Sequence, residues 1–238
     1  MLAKVPERIV LLPLNVTAPM PAELKGPSAE VWSALEVYLR AHGAALKTVA
    51  YPTAHGLWIA SIRDARADPK LKDPGFDDAA RLLVGKLKQY AEFDVLIIPS
   101  LDVKRATLAG TKATWDGAER TIAIETPRGE APVASDAAIE GAVPGVSLHN
   151  VVLNAEGARL HEGRAGIALL VSARLHASTA NDPPTFSFVP VRDPFADRRF
   201  LIQQTARSLA PFIPTLPAAR LEDLATQIKS APAEGAAP

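Results

Sequence analysis

Cysteine is absent from all 238 residues. That excludes disulfides, thiolate zinc sites and a cysteine nucleophile, while leaving the compartment open. An excess of charge of either sign is also missing. The 26 basic and 26 acidic side chains balance and are interspersed, so nothing offers the clustered positive charge a nucleic-acid backbone needs. No run reaches the ~20 apolar residues that cross a bilayer, and Met1 to Arg8 lacks the apolar segment of a secretory signal. A periplasmic or outer-membrane-associated location is expected if a leader has been removed, and a cytoplasmic one otherwise. The phosphate-cradling patterns Gly-x-x-x-x-Gly-Lys and Gly-x-Gly-x-x-Gly do not occur, nor does Gly-x-Ser-x-Gly, so no cofactor is implied.

With 48% apolar and 22% charged residues, the composition is that of an ordinary globular chain with a real core. The organising stretch is Phe93 to Thr126. Its apolar run Val95-Leu96-Ile97-Ile98 has no polar alternation, as a strand covered on both faces requires. The chain continues extended through Leu108, then a loop carrying Trp115-Asp116-Gly117, then a strand-like run from Arg120 to Glu125. Before this stretch, Arg8 to Leu14 reads as a first strand, with a loop from Asn15 to Pro27. A helix follows, capped by Ser28 and stopped by Gly43. Leu46 to Tyr51 is a second strand, and Thr53 to Arg66 and Phe76 to Tyr90 are helices. After Pro127, Arg128 to Gly145 reads as a long loop. Ser147 to Leu153 and Ala158 to Arg164 form a hairpin closed at Gly157. Gly166 to His176 suits strand or helix, and Thr185 to Val191 is a short strand. Asp193-Pro194 starts a helix, and Ala219 to Lys229 is a last amphipathic piece. The fold class is α/β (α+β), a single mixed sheet with helices packed mainly on one face. Residues 1–217 form one domain, 218–230 a helical extension and 231–238 a disordered Ala/Pro tail.

Candidate chemistry is thin. His149 and His161 lie on opposite arms of the hairpin, and one register puts them on the same face; a metal site needs more ligands, and Glu162 points away from His161. His42, at the end of the first helix, suits the helix dipole. Ser100 follows the central strand where α/β enzymes place functional groups, but the chain runs on extended. A glycosidase would need two of Asp94, Asp102 and Asp116 facing one cleft; Asp94 and Asp116 read instead as turn residues, and the structural reading is favoured for all three. Trp115 stands before a turn and reads equally as a partner anchor or as the lid of a core. Arg105, Lys112 and Arg120 flank it and could frame an anionic site, or simply guard a strand edge.

Asp94 to Ser100 followed by Lys112 to Gly117, with Val146 to Gly157 and Glu162 to Gly166 after it, resembles a loose group of proteobacterial lipoproteins and periplasmic proteins. Their α/β domain is similar to that of the curli secretion channel lipoprotein and the N-terminal domain of the TolB translocation protein. The resemblance spans Arg8 to about Pro217, lacks a lipobox cysteine and carries over no catalytic residue. It implies a non-enzymatic envelope accessory protein that binds a protein partner or forms a homo-oligomer. Trp115, Arg105 and Arg120 would be the contact residues, together with the hairpin Ser147 to Arg164. The rival is a hydrolase using Ser100, Asp102 and His149 at the end of the central strand.

Overall fold

The central strand is longer than its apolar run. In the computed structural model, which describes residues 5–125, 140–176 and 185–229, β3 spans Val95–Ala109. Its first seven residues are buried without interruption, and the rest mostly alternate between inside and outside. The two textures follow from its neighbours. At its start β3 pairs in parallel with β1 (Arg8–Leu11), which pairs in parallel with β2 (Ala45–Thr48). Parallel pairing needs crossover connections, and α1 (Ser28–Ala41) supplies that from β1 to β2. The helices α2 (Tyr51–Ala67) and α3 (Phe76–Leu87) lead from β2 back to β3. Along its whole other side β3 pairs antiparallel with β7 (Glu140–Asn154), which pairs with β8 (Arg159–Leu169).

Side chains of opposite parity on β3 therefore enter different cores. Val95, Ile97 and Leu101 pack beneath α1, α4 (Arg198–Leu209) and α5 (Ala218–Gln227), whereas Leu96 and Ile98 pack beneath α2 and α3. Of the five α-helices among the described residues, three thus share one face of a mixed sheet and two lie on the other. α5 adds Leu221, Leu224 and Ile228 to the first core. Burying a side chain such as Ile97 completely contributes about 1.5–3 kcal/mol, so this short stretch carries weight far beyond its length.

Beyond Leu101 the sheet coils. β4 (Lys112–Trp115) and β5 (Ala118–Thr121) form a hairpin on the end of β3, turning through Asp116 and Gly117, both at positive φ. This hairpin closes back onto β7 and β8. The Gly166 N–H donates to the Asp116 carbonyl, the Ser147 hydroxyl to the Asp116 carboxylate, and the Trp115 indole N–H to the Val146 carbonyl at 3.0 Å. A third core fills the roll, with Trp115, Ala106, Leu108, Val143 and Leu169 among its residues. A small second sheet of β6 (Ile124–Glu125), β9 (Val171–His176) and β10 (Thr185–Pro190) completes the order.

Several local expectations are corrected. Glu140 to Gly145 is strand, not loop, because β3 supplies it with a full antiparallel partner; residues 126–139 lie outside the described set. Trp115 ends a strand rather than riding in a loop. Ser28 does not cap α1: Pro27 holds that position, and the Ser28 hydroxyl donates to the Lys25 carbonyl. The helix expected at Asp193 starts at Arg198, where the Asp197 carboxylate accepts from the Phe200 N–H at 3.0 Å. Gly166 to His176 resolves as strand. The tail 231–238 is outside the described residues.

Asp94 sits at the mouth of β3, its carboxylate accepting from both the guanidinium and the backbone N–H of Arg8. The Arg8 hydrogen bond holds the Asp94 carboxyl below the usual carboxylate range. A carboxyl depressed in the folded state stabilises at pH values above its unfolded pKa and loses that contribution as pH falls through its folded one. Stability of the wild type should therefore decline more steeply than that of Asp94→Asn on acidification below about pH 4. Urea midpoints at a series of acid pH values measure the difference; parallel curves would remove Asp94 from the account.

Candidate functional site

The end of β3 is not a site, because β3 does not end there. The crevice lies beside it, at the carboxyl ends of the parallel strands β1 and β2. A cleft of about 640 Å³ opens there between the first turns of α1 and α2. Pro13, Leu14 and Met20 come from the connection after β1, Ala29 and Trp32 from α1, and Thr48 to Tyr51 from the end of β2 and the start of α2. Strands and helices that alternate in this way leave a crevice at their carboxyl edge, where open α/β sheets bind their ligands. Trp32 is half-buried and Tyr51 is exposed, stacked on His55 with nearly parallel rings. The connection after β1 is pinned just beyond its lining residues Pro13 and Leu14. Asn15, buried and at positive φ, uses its side-chain amide to bond both the N–H and the carbonyl of Leu101, at 2.8 and 3.0 Å. It extends the pairing beyond the last residue of β1 as a strand would.

The residues read from sequence as contact groups occupy three different surroundings. Trp115 is buried, its ring lying over Gly145 and Gly166, the position its core-lid reading requires. Arg120 is held by Asp197 at 3.0 Å and lies over the Phe200 ring at 4.7 Å. Arg105 is exposed on β3, beside Lys104, Ala142 and Pro144, with no ionic partner among the described residues. Lys112 pairs with Glu119 at 2.9 Å. They do not frame a common anionic site.

The hairpin β7–β8 is as expected, closed at Asn154 to Gly157 with the Asn154 carboxamide accepting two backbone N–H groups. Its histidines are not neighbours. The register sets His149 opposite Arg164 and His161 opposite Val152, so the two rings lie on opposite faces of the sheet. His161 meets the Ser208 carbonyl of α4 at 3.1 Å, while His149 meets the Glu162 carboxylate at 2.9 Å. Among the described residues no group of three or more His, Asp or Glu could hold a metal ion.

Ser100 stands directly across from His149 on the paired strands, but no hydrogen bond joins them. Asp102 instead takes the Arg164 guanidinium at 3.1 Å. Arg159 ties Asp77 and Glu162 together, giving a chain Asp77–Arg159–Glu162–His149. Burial works against the charged Glu162, yet the His149 hydrogen bond and the Arg159 charge outweigh it and hold the carboxyl below its ordinary range. Such groups neutralise one another between the start of α3 and the β7–β8 hairpin. The acids Asp94, Asp102 and Asp116 are each spoken for, by Arg8, Arg164 and Ser147.

Compared with known proteins, the chain matches no family model, no curated protein and no solved structure.

Proposed function

We propose that this chain is a non-enzymatic accessory protein of the cell envelope that binds an extended segment of a protein partner, or of a second copy of itself, at the cleft between α1 and α2. One observation carries the reading: the apolar, aromatic-walled cleft adjoins β2, an edge strand with no partner on its outer side among the described residues. An extended peptide gains main-chain hydrogen bonds from such an edge and specificity from adjacent pockets for its side chains. Trp32 and Tyr51 are the anchors, since aromatic side chains contribute most at such contacts. The envelope location rests on the resemblance of the Asp94 to Ser100 and Val146 to Gly157 segments. No helix among the described residues is long and apolar enough to cross a membrane.

A photo-crosslinking residue placed at Tyr51 in cells should give one discrete protein adduct that Trp32→Ala weakens at least fivefold. Equal adducts from the exposed Ile59 or Tyr90 would overturn the cleft as the contact. Fractionation of cells expressing the gene with its native upstream sequence tests the location, and recovery from the cytoplasm alone would refute it. The hydrolase reading draws on the Ser100–His149 juxtaposition. A serine-directed fluorophosphonate should leave the protein unlabelled; labelling lost in Ser100→Ala would favour the enzyme.

A further inference from the structure

We propose that β10 pairs antiparallel with β10 of a second copy of this chain, about a two-fold axis at Ser187. Two three-stranded sheets then become one of six strands. β10 is an end strand of its sheet and has no partner on its outer side among the described residues. Two other edges carry the features that keep strands from pairing by accident. β2 has Lys47, and β8 has Arg159, Glu162 and Arg164 with a break in register at Leu160. β10, which reads Thr-Phe-Ser-Phe-Val-Pro, holds no charged side chain.

The pairing with β9 fixes which backbone groups of β10 turn outward. Val191, just past the strand, donates its N–H to the Leu170 carbonyl at 2.8 Å, and Pro190, Phe188 and Phe186 stand opposite Val171, Ala173 and Leu175. Hydrogen-bonded and non-hydrogen-bonded pairs alternate along an antiparallel ladder. Thr185, Ser187 and Val189 therefore bond to β9, while Phe186, Phe188 and Pro190 present their main-chain groups to the outside. Setting Phe186 opposite Phe188 of the second copy, and the reverse, gives four N–H to carbonyl bonds. The two Ser187 residues then face each other on the axis. A register with Phe188 opposite itself would leave each Phe186 carbonyl facing Pro190, which has no N–H.

The side chains agree with this register. Phe186 and Phe188 share the sheet face of Ala173 and Leu175, and Phe186 packs on the third core. Phe188, on that same face, stays 44% exposed, because the core runs out at the edge. In the dimer each Phe188 lies across from Phe186 of the other copy, an aromatic cross-strand pair of the kind that stabilises antiparallel strands. The opposite face is polar and self-contained: Ser187 meets His176 at 2.8 Å, and Ser172 and Arg174 hold Glu125. One six-residue edge is small for a permanent interface, so the dimer is reversible and forms as concentration rises. It is separate from the cleft between α1 and α2.

Sedimentation equilibrium of the full chain between about 10 µM and 1 mM should show monomer and dimer in exchange. Phe188→Lys should weaken the dimer at least tenfold, and Trp32→Ala, in the cleft, should leave it unchanged. A monomer throughout, a dimer indifferent to Phe188→Lys, or one lost in Trp32→Ala instead overturns the proposal. The register has a test of its own, since the chain holds no cysteine. Facing residues of a non-hydrogen-bonded pair lie about 4.5 Å apart at Cα, within disulfide reach. Ser187→Cys should therefore oxidise to a covalent dimer, whereas Val189→Cys, four positions from its own copy in this register, should not. No cross-link in Ser187→Cys, or equal cross-linking of both variants, refutes the pairing.

Discussion

Replacing Gly163 by alanine should cost roughly 3 kcal/mol or more, the upper end of what overpacking does. Gly163 lies in β8 directly beneath α4. A methyl group there would sit 2.0 Å from the Ser208 carbonyl oxygen and 2.4 Å from Nε2 of His161. Neither can yield cheaply. The oxygen belongs to helix backbone, and α4 is pinned at this level by the Asn150 carboxamide on the Ser208 hydroxyl at 2.8 Å and by His161 on the carbonyl itself. The alanine variant must lift α4 away from Leu148 and Val152, uncovering the first core. Urea unfolding monitored by circular dichroism gives the number. A shift worth under 1 kcal/mol would mean that α4 does not rest on this glycine.

Trp115→Ala is the second large effect, about 3–5 kcal/mol, as for other buried aromatics truncated to alanine. The tryptophan fills the roll formed by the coiled end of the sheet, and its removal also leaves the Val146 carbonyl without its donor. A methyl added at Gly166 would stand 2.5 Å from the Trp115 ring, so the two positions must be coupled. Gly166→Ala should be strongly destabilising in the wild type and distinctly less so in the Trp115→Ala background, where the missing ring leaves only the 2.8 Å approach to the Ala118 Cβ. Additive losses in that double-mutant cycle would show that the ring does not pack on the glycine. If instead Trp115 were a partner anchor, its truncation would leave stability nearly untouched.

How far residues foretell structure depends here on whether the deciding contact is local. Val95 to Ile98 has no polar alternation and is indeed covered on both sides; Gly43 stops α1 at positive φ; Asn154 to Gly157 turns the hairpin. Each rests on neighbours within a few positions. Glu140 to Gly145 failed because Gly-Ala-Val-Pro-Gly has loop propensity, and only a full-length partner more than thirty positions away overrides it. Asp193-Pro194 carries every mark of a helix start, yet its carboxylate caps only the Phe195 N–H, and Asp197 takes the helix. The cleft was missed for a geometrical reason. It lies at the carboxyl edge of the parallel pair β1–β2, and a pairing between strands so far apart in sequence leaves no local pattern. Trp115 could have been placed only by knowing that Gly145 and Gly166 come together beneath it.

The fifteen-rung ladder between β3 and β7 has a bearing on how the chain reaches this state. Its rungs differ widely in sequence separation: Ala109 and Glu140 are nearest along the chain, Val95 and Asn154 farthest. Closing the shorter loop sacrifices less chain entropy, though the advantage grows only slowly with length. The hairpin between β7 and β8 is more local still. Zipping should therefore begin around the tryptophan-filled roll and run toward the parallel strands, which assemble last and slowest because their partners are remote.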